Sequence, residues 1–187
     1  SKAQMTYEEG ARSSIYCAHY GDIHTKYGMY ISPKDAKIPH LLKAENIPEH
    51  KRLRSGDVIV ADASEDYDGV GNSVEIQDVS DDIIIAGLHT FALRPKQGKI
   101  ANGYGSLLFR GQKLHRELMK IATYSKVYGM TKSGFSNIKV TLPSIEEQER
   151  AIALIRALND ELDSLSAKKM LLLDQKKYLL QNLITGK

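Results

Sequence analysis

The sequence predicts an α+β fold, a mixed α/β domain of short strands and helices followed by a long C-terminal coiled-coil helix. Three observations carry it. Short β-branched runs, of which Asp57–Ala61 (DVIVA) is the clearest, are separated by turn residues. Between them one segment, Ser106–Ala122, spaces Leu107, Leu108, Leu114, Leu118 and Ile121 helically. The last quarter, Ser144–Gly186, has neither Pro nor Gly between Ser144 and Thr185 and repeats its apolar residues every seven. The expected division is residues 1–143 for the domain and 144–187 for the helix.

Taken in order, Ile15–Asp22 alternates in part and reads as a strand, and GDIHTKYG after it as a polar turn. Pro33, Pro39 and Pro48 punctuate an irregular stretch with room for short helices at most. Asp57–Ala61 reads as a buried strand, SEDYDGVGN as a glycine-containing turn, and Ser73–Gln77, Ile83–Ala86 and His89–Arg94 as further strands. Asn137–Leu142 alternates and leads into the long helix. That helix has a marked start. Pro143 precedes Ser144, Glu147 follows three residues on as a capping box, and Glu146, Glu147 and Glu149 complement the helix dipole. Gly186 ends the run, giving roughly 60 Å of helix at the 1.5 Å rise.

The heptad pattern suggests what covers such a helix. With Ala151, Leu158, Leu165, Leu172 and Leu179 at position d, position a holds Gln148, Ile155, Leu162, Lys169, Lys176 and Leu183. Ile145, Ile152, Leu173 and Leu180 add an e stripe, a seam wide enough for more than one partner surface. Dimerisation is expected through Ile155, Leu158, Leu162, Leu165, Leu172, Leu179 and Leu183; the alternative is a helix folded back on its own domain. Charge gives the seam a direction. Residues 144–163 carry six acids against Arg150 and Arg156, and residues 164–187 carry five lysines against Asp174 alone. Only an antiparallel homodimer lays acid against base.

Composition narrows the function classes. No run of eighteen apolar residues exists, so no membrane span is expected, and the sole cysteine, Cys17, fits a cytoplasmic protein without an internal disulfide. The net charge of +3 is unevenly placed. Residues 57–82 hold nine acids and no base, whereas residues 94–139 hold ten bases against Glu117 alone. The second stretch reads as a polyanion-binding region, unless the acidic stretch folds beside it and neutralises it.

Catalytic patterns are weak. Asp62, Ser64, Asp66, Asp68 and Gly69 mimic a calcium loop, but Tyr67 stands where the sharp turn needs Gly and Ser73 where the bidentate Glu belongs. His19, His24 and His89 lack metal-ligand spacing, and no phosphate-binding glycine loop occurs, so no cofactor and no metal is expected. A metal-dependent hydrolase using Asp62, Asp66 and Asp68, or a dimeric DNA-binding regulator, stays open as an alternative. Recognition residues cluster instead. The candidate DNA contacts are His24, Thr25, Lys26, Tyr27, Ser64, Glu65, Tyr67, Lys126, Tyr128, Lys132 and Ser133, the lysines suited to phosphates and the Ser, Thr, His and Glu side chains to base edges.

Several segments together resemble a specificity subunit of a Type I DNA restriction–modification enzyme. They are HYGDIHTKYG (His19–Gly28), GDVIVADASEDYDGVG (Gly56–Gly71), AGLHTFALRP (Ala86–Pro95), LPSIEEQERAIALI (Leu142–Ile155) and the closing KKYLLQNLITGK. The resemblance implies a target recognition domain followed by a spacer helix, a chain without catalysis of its own that reads half of a split site on double-stranded DNA. It also implies methyltransferase (modification) and restriction subunits as partners. Where a full member carries two domains and two antiparallel helices, one of each here implies a half subunit.

Overall fold

The computed structural model describes residues 5–8, 14–33, 38–43 and 46–184. Its strands are β1 (Met5–Thr6), β2 (Ile15–Ala18), β3 (Tyr30–Ile31), β4 (His40–Leu41), β5 (Val58–Ala61), β6 (Ala63–Ser64), β7 (Ser73–Ile76), β8 (Ile83–Ala86), β9 (Thr90–Leu93), β10 (Thr123–Tyr124) and β11 (Tyr128–Gly129). Its helices are α1 (Tyr20–Thr25), α2 (Tyr104–Arg110), α3 (Gln112–Ile121), α4 (Lys132–Ser136) and α5 (Ile145–Ile184). The chain forms two units, divided between Gln148 and Glu149.

The first unit is organised on β5. It pairs antiparallel with β7 on one side and β9 on the other, and β3 joins β7 in parallel. Alternation along β5 sends Ile59 into one apolar cluster with Ala18, Ile23, Val74, Ile76 and Ile84. Val58 and Val60 enter a second cluster with Val70, Leu114, Leu118 and Met130. A strand covered on both faces needs apolar residues at every position, which is why DVIVA does not alternate with polar residues. A second sheet has the order β1-β4-β2-β8, with β2 and β8 parallel from Ile15↔Ile83 to Ala18↔Ala86. A third, small sheet has the order β10-β11-β6.

Several elements differ from the sequence expectation, each for a local reason. The strand expected over Ile15–Asp22 stops at Ala18, because His19 caps a helix: its Nδ1 accepts from the Gly21 N–H at 3.1 Å. The single helix expected over Ser106–Ala122 is two, because Gly111 takes an extended conformation between α2 and α3. Asn137–Leu142 alternates but belongs to no strand among the described residues. Hairpin β10–β11 and helix α4 fill a stretch that reads in sequence as polar loop.

The start of α5 forms the expected capping box. The Ser144 N–H donates to Glu147 Oε2 at 2.8 Å, and the Glu147 N–H donates to Ser144 Oγ at 3.3 Å. Gly186, the expected stop, lies outside the described residues. Gln148, placed in a heptad a position by the repeat, is instead fully buried in the first unit. Its Oε1 accepts from the Ala101 N–H, and its Nε2 donates to the Lys99 and Pro143 carbonyls. In the second unit Leu158, Leu162, Leu165, Leu172, Leu179 and Leu183 are 44 to 76% exposed, and Ile155 is half-buried. Among the described residues no helix is long and apolar enough to cross a membrane.

Candidate nucleic-acid interface

Two segments far apart in sequence meet in one groove of about 840 Å³. Its walls include His24, Thr25 and Lys26 from the end of α1, Ser64 from the end of β6, and Glu65 and Tyr67 from the turn that follows. The turn closes tightly because residue 69 is glycine: a Cβ there would lie 2.2 Å from Ser64 Oγ. Most polar groups of the groove hold the fold. His24 Nε2 donates to the Ala63 carbonyl at 3.0 Å, and its Nδ1 accepts from the Asn72 amide at 3.2 Å, so both ring nitrogens are engaged by the fold. Thr25 Oγ1 donates to the Gly21 carbonyl at 2.8 Å. Lys26 Nζ sits 3.0 Å from Asp22 Oδ1 and 3.7 Å over the Tyr7 ring, and Tyr7 Oη donates to Asp22 Oδ2 at 2.6 Å. The hydrogen bonds of Lys26 with Tyr7 and then Asp22 raise the ammonium pKa above its ordinary value. Buried Ser64 accepts the Asp66 N–H at 3.1 Å. Tyr27 packs against the first core cluster, and burial pushes its enclosed phenol far above the ordinary value. Glu65 stands exposed at the rim.

The small sheet joins this groove to the third recognition cluster. Pairing Tyr128↔Ser64 brings the hairpin to β6, and Tyr124↔Tyr128 closes the hairpin. Tyr67 meets Tyr128 edge-on at 5.2 Å, Tyr128 meets Tyr124 at 4.9 Å, and Tyr67 Oη donates to the Met119 carbonyl at 3.2 Å. Groove, tyrosine row and hairpin thus form one continuous surface. Lys126 lies at the hairpin tip, where the Ser125 N–H donates to the Val127 carbonyl at 3.1 Å. Lys132 and Ser133 open α4, whose N-cap Thr131 accepts the Gly134 N–H at 3.1 Å. Lys126, Lys132 and Ser133 are exposed.

The charges of the basic stretch have separate roles. Two bases of the basic stretch hold the fold: Arg94 grips buried Asp57 at 2.9 and 2.6 Å, and the Arg110 guanidinium donates to the Gly28 and Ser73 carbonyls. Burial lowers the Arg110 pKa. Lys120 pairs with Glu117 at 2.6 Å. Lys96, Lys99, Lys113, Lys126, Lys132 and Lys139 stay exposed. The Asp57–Arg94 pair supplies part of the neutralisation that folding could have brought to the basic stretch. The groove is itself acidic, with Asp22, Glu65, Asp66 and Asp68 against Lys26. Phosphates therefore fit exposed Lys126 on the adjoining hairpin better than the floor of the groove.

Among the described residues no three His, Cys, Asp or Glu side chains converge to hold a metal. Asp62 faces His89 at 3.5 Å; burial raises its carboxyl pKa and His89 opposes this. Asn72, which fixes His24, was not legible in the sequence because it sits in a turn with no pattern of its own. Tyr124 had a signal, the aromatic alternation TYSKVYG around a polar centre.

No family model matches the chain, and no curated protein does either. A solved structure does, one described as the structural basis underlying complex assembly and conformational transition of the type I R-M system. The match is 20% identical with a TM-score of 0.60, and covers 99% of this chain and 40% of that one. This chain shares the fold of a type I R-M system component. It spans less than half the length of that type I R-M chain, and the shared fold takes in nearly every residue described above.

Proposed function

We propose that the chain is a half specificity subunit of a type I restriction–modification system: residues 1–143 recognise one half of a bipartite DNA site, and residues 144–187 form the spacer and dimerisation helix. The observation that carries the reading is the fold shared with a type I R-M chain across 99% of the sequence. Two features of this chain support it. The recognition clusters meet where the hairpin that carries exposed Lys126 pairs with β6, which suits a polyanion with readable edges. The helix exposes six leucines at heptad spacing, more apolar surface than an isolated helix presents to water.

In this reading the second helix is that of another copy, laid antiparallel so that the acidic half of each faces the lysine-rich half of its partner. A two-fold pair of identical domains reads identical half-sites in inverted orientation, separated by unread base pairs. The remaining stripe of the helix docks methyltransferase subunits and, through them, the restriction subunit. Catalysis belongs to those partners, and this chain acts by binding. Purification with candidate methyltransferase subunits followed by genome-wide mapping of methylation tests it. The expected result is a stable complex and a methylated split palindrome; a chain that binds neither the subunits nor DNA would refute it.

A further inference from the structure

We infer that the hairpin β10–β11 enters the DNA major groove as a two-stranded ribbon, with Lys126 at its tip setting part of the base preference. The inference rests on the DNA-reading function proposed above. Only polar groups that the fold leaves free can read a base edge. In the groove, His24 has both ring nitrogens engaged, Lys26 is held by Asp22 and Tyr7, Thr25 donates to its own helix, and Tyr67 donates to Met119. The hairpin differs. Among the described residues the side chains of Tyr124, Ser125 and Lys126 make no hydrogen bond, and all three are exposed, Tyr124 to 66%.

Shape and charge point the same way. Paired strands lie about 4.8 Å apart, and a ribbon of that kind fits the roughly 12 Å major groove of undistorted B-DNA, whereas the roughly 6 Å minor groove has to be widened to take one. The hairpin base is braced: Tyr128 pairs with Ser64, Gly129 with Ala63, and the Met130 N–H donates to the Asp62 carbonyl at 2.8 Å. From Leu118 to Pro143 the sequence contains no Asp or Glu, so nothing on this segment opposes a phosphate backbone, in contrast to the carboxylates of the groove. Lys126 can donate to the O6 and N7 acceptors of guanine, and Tyr124 and Val127 offer apolar surface to a thymine methyl group. Lys132, on α4, is left to contact phosphate.

The test selects from randomised duplexes with the full chain and maps dimethyl sulfate protection of guanine N7, which lies in the major groove. The wild type should enrich a motif and protect a guanine within it. Lys126→Ala should lose discrimination at one or two adjacent base pairs, about tenfold in relative affinity, and lose protection of that guanine. Lys126→Met, nearly as long and without a donor, should do the same. Lys132→Ala should weaken all sequences alike and keep the motif. A wild-type motif that Lys126→Ala leaves intact, or a loss equal across all sequences, overturns the hairpin assignment alone. A wild type with no preference over random DNA overturns the DNA-reading function and the hairpin with it.

Discussion

Replacing Gln148 by Leu should destabilise the first unit, although the heptad repeat taken alone implies the opposite. The side chain is fully buried and makes three hydrogen bonds, to the Ala101 N–H and to the Lys99 and Pro143 carbonyls, at 2.9, 3.1 and 3.0 Å. Each such bond contributes about 1 kcal/mol net, and a buried group left unpaired costs at least as much. The added apolar burial of leucine offsets about 1 kcal/mol. The net loss is about 2 kcal/mol, or roughly 4–8 °C in melting temperature for a chain of this size. Thermal unfolding followed by circular dichroism reads it, with Gln148→Glu, which keeps the acceptor but turns a buried carboxylate oxygen toward the Lys99 and Pro143 carbonyls, as the more severe variant. In a helix–helix seam an a-position leucine strengthens association. An unchanged or higher melting temperature for Gln148→Leu, with tighter self-association, would therefore refute the anchoring role.

Other outcomes follow from named contacts. Paired labels at Ser144→Cys and Gln181→Cys should lie close between chains, with the two Ser144 positions about 55 Å apart at the helical rise. Burial pushes the Cys17 thiol up to about 11, so the introduced thiols react selectively. Close Ser144–Ser144 distances, or a monomer at micromolar concentration, would sink the antiparallel pair, and Leu165→Glu with Leu172→Glu should abolish it in sedimentation. Gly71→Ala should cost about 3 kcal/mol, since residue 71 has φ +84° and a Cβ would meet Leu118 Cδ1 at 2.6 Å. Combined with Leu118→Ala the losses should be less than additive, and strict additivity would count against the clash. Burial raises the Asp62 pKa, with His89 opposing, so its contribution to stability is full below the ordinary carboxylate range and is lost as pH rises through the folded value. Asp62→Asn should raise the melting temperature at neutral pH and leave it unchanged in acid; an equal shift at both would exclude this linkage.

Local chemistry made part of this protein legible from its sequence. DVIVA read as a buried strand, Ser144 and Glu147 as a capping box that opens a helix, and the absence of Pro and Gly after them as an uninterrupted run. The residues that decide each of these are neighbours in the chain, within reach of one another through backbone geometry. Tertiary structure alone decided the rest. His24 and Lys26 read as free recognition residues until folding brought Asn72 and Ala63 to the histidine and Asp22 and Tyr7 to the lysine. Gln148 read as a seam residue until Lys99 and Ala101, far away in sequence, closed over it. A hydrogen bond between residues distant along the chain leaves no periodicity to read, so whether a polar side chain faces a ligand or its own fold was settled only when the segments met.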